Sequence, residues 1–98
     1  MATYPTTNIF LNKIDDKTRK NIEEVKTYLE IKGVPYSQNS DNNCAVGRLD
    51  LHYFMGNSVV KITQFSNVTD IKIIANNGEN LSSIKKSIER ILDGEKVF

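Results

Sequence analysis

Between Ala45 and Ala75 apolar and polar residues alternate in three runs divided by turn-forming pairs, the pattern of a half-buried antiparallel sheet. Gly56-Asn57 reads as a two-residue turn, which sets Met55 opposite Ser58 and with it the register of the first hairpin. Leu49, Leu51 and Tyr53 then lie opposite Gln64, Ile62 and Val60. Ser66-Asn67-Val68-Thr69 reads as a second turn, of four residues, which leaves Phe65 near Asp70 and brings Ile71, Ile73 and Ala75 onto the same face. That mainly apolar face is the predicted core. The opposite face collects Arg48, Asp50, His52, Phe54, Val59, Lys61, Thr63, Phe65, Asp70, Lys72 and Ile74, a mixture of basic and large apolar groups that has the character of a contact surface.

Outside this unit the apolar period lengthens to that of a helix in two places. Thr18, Ile22, Val25 and Leu29 form one stripe, with Asp15 or Asp16 placed to cap it and Gly33 to supply a left-handed residue at its end. Leu81, Ile84, Ile88, Ile91 and Leu92 form the other, with Asn80 as its cap and Gly94 as its stop. Thr6 to Leu11 reads as a short strand with Ile9 and Leu11 on one side and Phe10 on the other. Val34 to Ser37 is predicted extended because Pro35 blocks further helix, and the polar run Gln38 to Asn43 is predicted to be a mobile loop.

Two apolar helical stripes need one apolar surface to cover, and the core face of the sheet is the surface available. The expected fold is therefore α+β, a two-layer sandwich with an antiparallel sheet of three to five strands and two helices on one face. With 98 residues the chain is expected to form a single domain, since two would each be too small to bury an adequate core. The order of elements resembles half of a TATA-binding-protein-like fold, and one open sheet face is a feature shared with RNA-recognition domains. The motifs of those families are not carried. There is no aromatic consensus around Arg48 to Phe54, and the second helix is terminal instead of lying between strands.

Charge narrows the partners. Thirteen basic residues against twelve acidic ones leave no global field to hold nucleic acid or anionic lipid, so any such binding has to be local. No run is long and apolar enough to span a bilayer, the first residues lack the form of a secretory signal, and there is one cysteine. A soluble cytoplasmic protein without disulfides or membrane association is expected. The basic residues are ten Lys to three Arg, and Ile and Asn number eleven each. All three abundant types have AT-rich codons, which points to a low-GC bacterium, a phage or a plasmid as the source.

The candidate chemistry is sparse. His52 is the single histidine; the register puts it beside Lys61 with Asp50 two residues away, a nominal acid/base set for a small ribonuclease. A polar-face histidine among charged neighbours is more simply a surface residue. Small toxin ribonucleases that use a strand histidine place it in a glycine-flanked context, which Leu51-His52-Tyr53 lacks. Cys44 has no cysteine partner and no histidine nearby in sequence, and reads as a small semi-buried residue at a strand start. The isolated glycines form no phosphate loop, one of them, Gly47, reading as a bulge. One His and one Cys show no metal-ligand spacing, so no metal or cofactor is expected.

What remains is the open face. Arg48, His52, Phe54, Val59, Lys61, Phe65, Lys72 and Ile74 are the predicted partner-binding residues of a non-enzymatic protein. It would act by occupying a protein partner's surface, with self-association as a homodimer expected and a phage or mobile-element inhibitor as one form of the role. Single-stranded nucleic acid is the alternative partner, with Phe54 and Phe65 stacking bases and Arg48, Lys61 and Lys72 on phosphates. The third alternative is that the face is covered by the N-terminal strand or by the polar loop.

Overall fold

A computed structural model describes residues 4–36, 48–65 and 67–96. The elements are β1 (Thr6–Leu11), α1 (Asp16–Lys32), β2 (Val34–Tyr36), β3 (Arg48–Met55), β4 (Ser58–Phe65), β5 (Val68–Ile74) and α2 (Gly78–Leu92). Five strands form one antiparallel sheet in the order β1-β5-β4-β3-β2, and the two helices pack on one of its faces. The fold is α+β, as the pattern of periods predicts. The predicted loop Gln38 to Asn43, Cys44 and the bulge at Gly47 lie outside the described residues.

The first hairpin has the predicted register, with Met55 opposite Ser58 and Leu51 opposite Ile62. Gly56 takes φ 65 in the connecting turn, a left-handed conformation that glycine adopts without a Cβ clash. The second hairpin differs from expectation. Phe65 pairs with Val68, so the link is the two residues 66–67 and not the four from Ser66 to Thr69. Asp70 pairs with Thr63, and Phe65 is not beside it. Thr69 accounts for the difference: it belongs to β5 and is 1% exposed, a β-branched residue that fits the pleat despite its hydroxyl. The shift is two residues, so every side chain keeps its predicted face.

The N-terminal strand does not cross the open face. β1 lies at the sheet edge beside β5, with Ile9 opposite Ile71 and Thr6 opposite Ile74, and Ala75 N–H donates to the Pro5 carbonyl to extend the pairing. Val34–Tyr36 forms the other edge against β3, where Pro35 costs no interior hydrogen bond.

Helix α1 begins where Asp15 accepts a hydrogen bond from the Thr18 N–H at 2.8 Å. That bond holds the Asp15 carboxyl below its ordinary pKa. The cap of α2 is Asn77, not Asn80: the Asn77 side chain accepts from the Asn80 N–H at 2.8 Å, and the helix starts at Gly78. Gly33 ends α1 but is not left-handed. Its φ is −127°, and its N–H donates to the Leu29 carbonyl before the chain turns directly into β2.

One apolar cluster joins the helices to the sheet. Val25 and Leu29 of α1 and Ile84, Ile88 and Ile91 of α2 pack with Val60 and Ile62 of the central strand β4 and Ile71 and Ile73 of its neighbour β5. Asn21 of α1 donates to the Leu92 carbonyl at 2.9 Å and ties the helices together at the end of α2. Leu49 points to the core side yet remains 47% exposed, so the far end of β3 lies outside this cluster.

Tyr53 is 3% exposed in this core. Burial raises the pKa of its hydroxyl above the ordinary 10.0, and the charges of Glu30 and Glu23 add to the rise. A raised pKa means that the folded state resists forming the phenolate, so its contribution is intact below the unfolded value and is lost as pH rises through the folded value. Spectrophotometric titration should show Tyr53 ionising at higher pH than an ordinary tyrosine. In Tyr53→Phe the late step should vanish and alkaline destabilisation should lessen; an unchanged titration would contradict the assignment.

Candidate functional site: the open sheet face

The face turned away from the helices is ordered in rows across the strands, because antiparallel partners directly opposite each other point the same way. Val59 of β4 pairs with Phe54 of β3 on one side and Ile74 of β5 on the other, an apolar row that Val34 of β2 continues. The next row is basic: His52, Lys61 and Lys72. The third is Asp50, Thr63 and Asp70, with carboxylates on either side of a hydroxyl. The fourth joins the register positions of Arg48, Phe65 and Val68. Apolar, basic and acidic bands thus follow one another along the strand direction, about 7 Å apart, before a mixed row that holds the Arg48 position beside Phe65 and Val68.

All eight predicted partner-binding residues occupy register positions on this one face. Phe54 is 41% and Phe65 52% exposed, Val59, Ile74, Lys61, Lys72 and His52 are half-buried, and a shallow recess of about 250 Å³ lies among His52, Phe54, Val59 and Lys61. Asn8 of β1 donates from Nδ2 to both carboxylate oxygens of Asp70, at 3.1 and 2.9 Å, which fixes that carboxylate on the face. The structure adds two large apolar residues to the prediction. Phe10 opposite Asp70 is 61% exposed and Val34 opposite Phe54 is 63% exposed. The alternation within Thr6 to Leu11 already set Phe10 against Ile9 and Leu11, but only the edge pairings show which face of the sheet each residue joins.

Exposed phenylalanine is the unusual feature. Phe10, Phe54 and Phe65 are all exposed on this face, each in a different row, while Ile31 and Leu49 are exposed outside it. His52 stands opposite Lys61 and one row from Asp50. Among the described residues, no group of three His, Cys, Asp or Glu side chains stands close enough to hold a metal ion. No described helix is long and apolar enough to cross a membrane.

Comparison with known protein families, with curated proteins and with solved structures finds no match to this chain.

Proposed function

We propose that the chain is a non-enzymatic binding protein whose working surface is the open sheet face. The observation that carries this reading is the exposure of Phe10, Phe54 and Phe65 together on the face that neither helix covers. Interfaces of this kind draw most of their energy from a few central aromatic anchors, with charged groups around them setting orientation. A protein partner fits the banded pattern better than a nucleic-acid strand does. Phosphates would have to pass Asp50 and Asp70, which lie in the row between Lys61 and Lys72 and the Phe65 ring, and that repulsion offsets much of the attraction.

The double replacement Phe54→Ser and Phe65→Ser tests the reading. Both rings are outside the buried cluster, so the variant should fold with an unfolding midpoint close to that of the parent while losing association through the face. Truncated anchors typically cost about 2 kcal/mol or more each. Unfolding of the double variant would mean that the rings serve the protein's own packing, and the reading would be abandoned. A steep fall of binding with salt would favour nucleic acid. A nuclease activity that disappears in His52→Ala would instead make the protein an enzyme.

A further inference from the structure

Resting on that reading of the face, we infer that its partner is a second copy of this chain, docked face to face about a two-fold axis that runs across the strands between the basic and the acidic rows. For the strands of the two copies to stay nearly aligned, a two-fold in the plane of the interface must cross the strands or run along them, and the band pattern distinguishes the two. An axis along β4 would lay each row on its own counterpart, with Lys61 over Lys61 and Lys72 over His52 of the second copy. An axis across the strands reverses the row order instead. Lys72 then lies over Asp70 of the second copy and His52 over Asp50. Lys61 lies over Thr63, with a carboxylate one strand away on each side. The same operation puts Val59 over Phe65 and Ile74 over Val68, apolar on apolar, and sets Phe54 over the register position of Arg48 and Phe10 over Asn8. No adjustment of register is needed, because every pairing follows from one axis position.

Strands of 6, 3, 8, 8 and 7 residues about 4.8 Å apart give a flat projection on the order of 500 Å². That is below the roughly 800 Å² per partner of a standard interface and suits a small, reversible dimer. Face-to-face sheets also pack naturally with their strands within about 30° of each other, and the axis crosses all the strands with β4 at its middle, where the sheets' twist displaces the facing rows least. In such an interface the apolar contacts hold the copies together, and the charged rows select the axis by penalising the alternative.

Charge reversal gives a test specific to this pairing. A chain carrying Lys72→Glu sets two carboxylates against each other at both symmetric contacts, and a chain carrying Asp70→Lys sets two ammonium groups against each other. Each alone should sediment as monomer where the parent is dimeric, with self-association weakened at least about tenfold. Mixed in equal amounts they should form a heterodimer, because both contacts then join opposite charges. Asp70→Lys also removes the Asn8 contact, so a second measurement uses turns outside the face. In a Cys44→Ser background, a short bismaleimide should link Asn57→Cys chains to Asn67→Cys chains and should not link Asn57→Cys chains to one another. A parent that stays monomeric, folded variants whose mixture does not associate, or cross-linking between Asn57→Cys chains alone would each overturn the inference. The Phe54 and Phe65 experiment fails differently, by unfolding, so a wrong dimer and a wrong choice of working face are told apart.

Discussion

Replacing Ile88 by alanine is expected to lower stability by about 2 to 5 kcal/mol, the range for deleting a large aliphatic side chain from a core that cannot close around the gap. Ile88 is fully buried at the centre of the α2 stripe, in the cluster that joins both helices to β4 and β5. Its burial contributes on the order of 2 kcal/mol through the hydrophobic effect, and the cavity left behind adds to the loss. A small domain has only about 5 to 15 kcal/mol of stability, so the thermal midpoint should fall on the order of 10 °C or more. Leu49→Ala is the control. Leu49 lies on the core side of β3 but is 47% exposed and outside the cluster, and its loss should cost under about 1 kcal/mol. Equal midpoints for the two variants in chemical denaturation would show that the helix-covered face is not the core.

Gly33→Ala is expected to destabilise by about 1 to 3 kcal/mol, although the residue's extended backbone is open to any amino acid. The reason is contact. A Cβ at this position would stand 2.5 Å from the Phe54 carbonyl oxygen and 3.0 Å from both the Leu29 carbonyl oxygen and Met55 Cγ. The Met55 side chain can move aside, but the Phe54 carbonyl belongs to β3, where Phe54 pairs with Val34 on one side and with Val59 on the other. Relief must therefore come from moving the junction of α1 and β2 away from the sheet. The edge pairing of β2 should loosen first, visible as faster amide exchange at Val34 and Tyr36 than in β4. A neutral effect on stability and exchange would show that the junction yields freely. Gly78→Ala would meet no atom within 4 Å, and serves as the comparison for adding a methyl group alone.

These two sites mark where sequence reasoning reaches and where it stops. Ile88 stands in a run of Leu and Ile at helical spacing, so its burial is legible from the one-dimensional pattern. Gly33 shows nothing in its neighbours that would reveal the Phe54 carbonyl, twenty-one residues further along the chain. A left-handed cap was the local explanation for a glycine after a helix, and a tertiary approach is the actual one.

The sequence by itself determined the two helices, the first hairpin's register and the division of residues between the core and open faces. That division is robust because side chains alternate with a period of two: the second link proved two residues long instead of four, and the error left every side chain on its predicted face. Only the tertiary structure decided the row each residue occupies. With a four-residue link Lys72 would stand opposite Thr63, and the basic row of His52, Lys61 and Lys72 would not exist. It also decided that β1 and β2 form opposite edges, which brings Phe10 and Val34 to the open face. Alternation is a local property of each strand, whereas edge pairing joins residues as far apart as Thr6 and Ile74 and is set by which arrangement buries the whole core at once.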